Sequence, residues 1–279
     1  MLLITLLGCP DPGLPTPAPS DGSSYTASLG DDPDFTKPES VLRARWWLEW
    51  GSGELTGYFG DAVPMEFHQE SERIGNCRLM TYAPSTCDPD CTGTDMCVDG
   101  ACVAYPVYSD RGDVLWTWPD GETTASPNGE LLTYSVGVDA SSEGETRIEV
   151  DGQVLDAPVN GPVVPDGDWG EQISRRGSGQ DVTLRWDNPV ENARVRVRMT
   201  DCTGSHGGFA DAEIECEGPD TGALTLPGPF LDTLDAGAWG RGECGSHNFD
   251  RFHAAAPQDE PTFRFESVAP YGMFYRPDW

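Results

Sequence analysis

Four cysteines and four aspartates crowd the seventeen residues from Cys87 to Val103, CDPDCTGTDMCVDGACV. Such a segment offers three chemistries: thiolate ligation of a soft metal, carboxylate ligation of a hard cation, or disulfide bonding. Structural zinc sites present close C-x2-C pairs divided by a longer spacer. The spacing here is C-x3-C-x5-C-x4-C with no histidine inside, which disfavours zinc. Calcium is a sharper rival. Asp88, Asp90, Thr92, Gly93 and Asp99 fall at positions 1, 3, 5, 6 and 12 of an EF-hand-like loop. Against it, position 12 lacks the bidentate Glu, position 9 is Met96, and no helical pattern flanks the loop. Interleaved disulfides fit best, because they hold a loop without a core by restricting its unfolded ensemble.

Other reactive residues are sparse. The histidines are His68, His206, His247 and His253. The stretches CTGSHGG and CGSHNF each carry a Cys and a Ser-His pair, so a Cys202–Cys244 bridge would bring His206 and His247 together near Asp211 or Asp250. Two exposed polar loops are the simpler reading. The chain has no H-E-x-x-H, G-x-S-x-G or P-loop pattern. Lys37 is its one lysine, which removes most candidates for lysine chemistry. The tripeptide Arg111-Gly112-Asp113 begins an expected strand and is explained by chance. Arg194, Arg196 and Arg198 form a stripe that an anion could use. Asp211, Glu213 and Glu215 on the next expected strand favour cross-strand ion pairs instead. Among aromatics, Trp116 and Trp118 repeat at period two, which usually marks core. Trp47 lies opposite the apolar Trp46 face and is the candidate for stacking on a sugar ring.

The elements that must position these residues are strands. From Glu39 onward short alternating runs are separated by Gly, Pro, Asn and Asp, with no long helical period, which predicts an all-β fold, a β-sandwich. In VLRARWWLEW, Leu42, Ala44, Trp46, Leu48 and Trp50 share one face. RIEVDGQVL is a hairpin about Asp151-Gly152, a pair suited to a type I′ turn. Val182, Leu184 and Trp186 point inward, as do Val195, Val197 and Met199, then Ile214 and Cys216. Further strands are expected at 223–226, 248–253 and 262–268, about a dozen in all, and GPFLDTL reads as one helical turn. One core over residues 39–279, with a Cys-rich insert at 77–103, accounts for the pattern. The formal charge is −30 and the sequence pI about 4.1, which argues against nucleic acid and anionic lipid surfaces as partners.

The opening MLLITLLGC is too short to span a bilayer, which needs roughly 20 apolar residues, and reads as the end of a signal peptide over residues 1–8. Leu6-Leu7-Gly8-Cys9 resembles the lipobox of bacterial lipoproteins, which implies cleavage before Cys9 and acylation of that cysteine. Residues 9–38, rich in Pro, Ser, Gly and Asp, then form a polar tether that cannot bury enough surface to order itself. With Cys9 acylated, eight of the nine cysteines remain, an even number suited to an oxidising compartment: Cys77, Cys87, Cys91, Cys97, Cys102, Cys202, Cys216 and Cys244.

The 87–103 segment resembles the short EGF-related knots of secreted proteins. That resemblance implies the pairs Cys87–Cys97 and Cys91–Cys102. Cys77 would then join one of Cys202, Cys216 and Cys244, and the other two would pair. The layout of lipobox, tether, sandwich and knot resembles the uncharacterised surface lipoproteins of myxobacteria. The resemblance implies a lipoprotein of the envelope held to the membrane by lipid and brings no activity with it, so a non-enzymatic role is expected, with the sandwich presented to an envelope glycan or protein. A carbohydrate-binding module and a hydrolase are the alternatives. No cofactor is expected apart from the calcium candidate.

Overall fold

The computed structural model describes residues 25–26, 32–63, 67–83, 85–92, 95–98, 100–201, 210–236 and 247–273. Of the described residues 54% are strand and 9% helix, so the fold is all-β. Alternation along each strand divides its residues between two faces, and the chain uses this to build one wide sheet with different coverings on its two sides.

The wide sheet has ten strands: β1 (Tyr25–Thr26), β2 (Ser40–Trp47), β3 (Ser52–Tyr58), β4 (His68–Ile74), β5 (Cys77–Tyr82), β10 (Thr133–Asp139), β14 (Arg194–Thr200), β15 (Ala212–Pro219), β17 (His247–Ala256) and β18 (Phe263–Met273). Their order is β10-β3-β2-β18-β17-β14-β15-β5-β4, with β1 against the end of β17. All neighbours are antiparallel except β2 and β18, which run parallel from Ser40↔Phe263 to Arg45↔Val268. That junction sews the first long strand of the body to its last.

The inner face is covered by two separate pieces. A four-stranded sheet of β8 (Val114–Trp118), β9 (Gly121–Ala125), β11 (Gly144–Val150) and β12 (Gln153–Val159) packs over β2, β3, β10 and β18. Trp46, Trp116, Phe59 and Phe263 fill that core. The two-stranded antiparallel sheet of β13 (Val182–Arg185) and β16 (Ala223–Leu226) covers β5, β14 and β15, helped by two helices, α1 (Trp169–Ser174) and α2 (Gly228–Ala236). Trp169, Trp186, Phe230 and Phe249 fill the second core. Along β17, Phe249 belongs to one core and Ala255 to the other, with Arg251 and His253 buried between them. Arg251 donates to Asp220 at 2.7 Å, and Trp186 Nε1 donates to the same carboxylate at 2.6 Å. A buried seam in which Arg251 and Trp186 share the Asp220 carboxylate therefore divides the two cores.

The remaining strands, β6 (Asp95–Val98) and β7 (Ala101–Ala104), form a small hairpin beside the sheet. The expected type I′ hairpin is present: Asp151 has φ 49° and Gly152 φ 75° between β11 and β12. Val182, Leu184, Trp186, Val195, Val197, Met199, Ile214 and Cys216 are all buried.

Three local expectations are corrected. The strand from Ser40 ends at Trp47, and Leu48–Trp50 is a 3-10 turn closed by Gly51 N–H donating to Leu48 O. Trp50 therefore leaves the inner face and is 74% exposed. GPFLDTL opens a nine-residue helix rather than one turn. The folded body also starts before residue 39, since Tyr25–Thr26 pair with β17 and residues 32–38 lie across the outer face of the sheet.

Candidate functional site

Two disulfides build the β6–β7 hairpin into a wall. Cys97 and Cys102 face each other directly across the hairpin, and each reaches back to the preceding loop, Cys97 to Cys87 and Cys102 to Cys91. This is the connectivity implied by the likeness to EGF-related knots. A third bridge joins Cys77 to Cys216, register partners on β5 and β15. Cys9, Cys202 and Cys244 lie outside the described residues.

Between this wall and the β4–β5 edge of the sheet opens a cleft of about 930 Å³. That volume lies in the range of small-molecule sites, roughly 300–1,000 Å³. Met80 and Phe67 line the sheet side, and Met96 and Val98 the knot side. Glu70, Asp90 and Asp95 line it together with His68 and Arg78. A His68 ring nitrogen lies 2.7 Å from the Ala210 carbonyl, and Arg73 holds Glu70 through two bonds of 2.8 and 2.6 Å. Those hydrogen bonds lower the Glu70 carboxyl below its ordinary range. The cleft thus combines apolar side chains with charged and polar groups, of which His68, Glu70 and Arg78 are held by partners, an arrangement that can orient a ligand.

Asp88, Asp90 and Thr92 lie on the knot, while Asp99, the twelfth position of the calcium pattern, is outside the described residues. Among the described residues, the metal-capable cluster comprises Cys87, Cys91 and Cys102, whose sulfurs are all in disulfides and carry no thiolate. His206 is likewise outside the described residues. His247 is buried, and burial pushes its imidazole down to about 4, so it is neutral at pH 7. Asp211 is exposed at the surface.

The aromatic candidates separate clearly. Trp116 and Trp118 are core, with ring centroids 5.1 Å apart. Trp47 is only half-buried, whereas Trp50 projects fully. Arg111 of the Arg-Gly-Asp tripeptide pairs with Glu260 and lies over the Phe59 ring, so it is not presented as a free loop.

The outer face of the wide sheet carries the arginine stripe. Arg198 meets Glu215 across β14 and β15, as opposite charges at register partners do. Sequence reasoning missed two further acids. Glu217 accepts from Arg194 at 3.0 Å and from Arg196 at 2.8 Å. Glu266, on β18, accepts from Arg43 at 2.7 Å and lies 3.6 Å from Arg196 and 3.8 Å from Arg264. Burial alone would raise the Glu266 carboxyl, but Arg43, Arg196 and Arg264 hold it far below the carboxylate range. At Glu215 too burial favours a rise, and Arg198, Arg78 and Arg196 overcome it and hold the carboxyl below its ordinary range. The alternations Glu213-Glu215-Glu217 and Arg264-Glu266 were the signals for both acids.

A strap, Asp32–Pro38, crosses this face. Arg194 donates to the Asp32 carbonyl at 2.9 Å, and Asp34 N–H donates to Glu217 at 3.2 Å. The Asp34 carboxylate accepts from Arg264 at 2.8 Å and from its own Thr36 N–H at 3.0 Å. Phe35 is clasped by the guanidinium groups of Arg73 and Arg78, 5.1 and 4.5 Å from its ring centre.

No family model matches this chain. No curated protein matches it in sequence. Among solved structures, it shows a likeness to a tetra-tandem repeat in the extending region of a large adhesion protein, at 15% identity over 84% of this chain and 74% of that one. The TM-score of 0.16 is too low for that likeness to carry any argument.

Proposed function

We propose that this chain is an exported envelope lipoprotein, anchored by acylated Cys9, that binds a glycan or protein partner rather than turning over a substrate. The observation that carries the reading is the disulfide-built wall of the cleft. The knot contributes few buried apolar side chains, so its shape depends on Cys87–Cys97 and Cys91–Cys102, and such bonds persist in oxidising compartments. The binding role is supported by the committed partners of His68 and Glu70, which position the rim of the cleft. Intact-mass spectrometry before and after reduction of protein isolated from its host tests export and acylation together. The expected result is a loss of Met1–Gly8, an added acyl mass and a rise of about two mass units per bridge on reduction. A full complement of free thiols in natively isolated protein would overturn the proposal. So would membrane partition unchanged by Cys9→Ser.

A second reading, carbohydrate binding, is favoured by one observation: Trp50 projects from its turn with three-quarters of its surface open. Aromatic faces of this kind stack on sugar rings, and their polar surroundings supply orienting hydrogen bonds.

A further inference from the structure

Beneath the strap, between Asp34–Pro38 and the outer face of the sheet, lies a pocket of about 180 Å³. At roughly 30 Å³ per water, it has room for about six waters, or for one tetrahedral oxyanion with part of its hydration shell. Five arginines and Lys37 line it, against Asp34, Glu215 and Glu266. The lining therefore carries an excess of three positive charges, in a chain whose formal charge is −30. A local reversal of sign of this size concentrates anions against the general field of the molecule.

The cations are also held in place before any ligand arrives. Glu266 grips Arg43, Glu217 grips Arg196, and Glu215 grips Arg198 at 2.9–3.0 Å, each through a bond to the guanidinium. Glu215 and Glu266 are each shared among three arginines, of which Arg196 also has Glu217, Arg264 has Asp34 and Arg78 has Glu70. Arginine suits oxyanions because its planar fork presents several donors at fixed angles. Tyr58 adds a hydroxyl to the lining. Burial raises it to about 12, so it remains protonated and able to donate. The strap itself already places one anionic oxygen on this surface, where the Asp34 carboxylate meets Arg264.

We propose that the pocket under the strap binds a small oxyanion of phosphate or sulfate size, through Arg43, Arg196, Arg198, Tyr58 and Lys37. This inference is independent of the cleft beside the knot and of export.

The test uses the full chain in chloride buffer. Inorganic sulfate and inorganic phosphate are titrated by calorimetry and in thermal melts, with sodium chloride at matched ionic strength as the control. Saturable one-site binding is expected, together with a melting shift that chloride does not reproduce. Lys37→Ala should weaken sulfate binding at least tenfold, with its melt in chloride as the control for folding. Tyr58→Phe should weaken binding several-fold. A parallel titration with glycerol phosphate separates the two sources of the ligand: comparable affinity identifies a terminal phosphate ester, and selective binding of the inorganic ion identifies the free anion. Equal shifts with chloride, or wild-type affinity in both variants, overturns the proposal.

Discussion

Replacing Glu266 by Gln isolates the electrostatics of the outer face, since the amide keeps the shape of the side chain and removes only its charge. Glu266 is 2% exposed and lies 2.6 Å from Arg43 Nη2, with Arg196 and Arg264 at 3.6 and 3.8 Å. Removing one partner of a buried pair costs about 3–5 kcal/mol, because the other charge stays desolvated and unpaired. Two of the three arginines keep another carboxylate, Arg196 through Glu217 and Arg264 through Asp34. Arg43 bears most of the loss and is partly open to solvent. The low end of the range applies, about 3 kcal/mol, or roughly 6–12 °C in melting temperature for a body of this size. Equilibrium unfolding in urea measures it. The pH dependence gives a second readout. A carboxyl lowered in the folded state contributes stability above its unfolded value, near 4.5, and loses it as pH falls toward the lowered value. The gap between wild type and Glu266→Gln should therefore be full at pH 7 and shrink steadily below pH 4.5. A gap under about 1 kcal/mol, or one that stays constant down to pH 2, would refute the charge argument and leave packing as the cause.

Stability should also fall between pH 6.5 and 4 for a separate reason. Burial lowers His253 and His247 to about 4, so acid protonates them first in the unfolded chain, at about 3 kcal/mol each; His253→Phe should flatten this part of the profile in urea melts. Cys77→Ala with Cys216→Ala opens a loop spanning 139 residues and should cost about 5 kcal/mol globally, as read by urea unfolding. Cys87→Ala with Cys97→Ala opens one spanning 10 and should cost about 3 kcal/mol locally, seen as proteolysis within 85–105 while the sandwich melts as before. Gly57→Ala would place a Cβ 2.0 Å from the Val41 carbonyl oxygen and 2.8 Å from Leu42 Cα, both backbone, so β2 and β3 must part; a loss of about 3 kcal/mol or more is expected by urea unfolding. Trp50→Ala should change stability by less than about 0.5 kcal/mol, and glycan-array binding that survives it removes the carbohydrate reading.

Period-two patterning was enough to assign the inward residues of β13, β14 and β15, because each strand turns its apolar side chains to one face, and in β14 and β15 a one-residue slip would carry arginines and glutamates into the core. The same reasoning failed at Trp50, three residues past the true end of β2. The alternation continues there by chance, whereas Gly51, at φ 67°, lets the chain close a 3-10 turn and throws the register. Helix α1 is only six residues long, too short for a periodic signal. Its start was legible in another way: Asp168 caps it by accepting from the Glu171 N–H at 2.9 Å, and Asp-x-x-Glu is the spacing of a capping box.

The division of the sheet into an apolar inner face and an ionic outer one follows from what each side has to cover it. The inner face is met by six strands and two helices, whose apolar side chains exclude water from both cores. Among the described residues, the outer face at its centre is met by the strap, which offers one large apolar ring, Phe35. Apolar residues placed there would gain little burial, whereas arginines can lie flat, keep their stems against the sheet and pair with acids on adjacent strands. The Arg198–Glu215 pair could be anticipated because β14 and β15 are successive in the chain. Arg43–Glu266 could not, since its partners are 223 residues apart and meet only because β2 and β18 run parallel. The lattice is therefore a product of the sheet order, and it exists where hydrophobic covering ends.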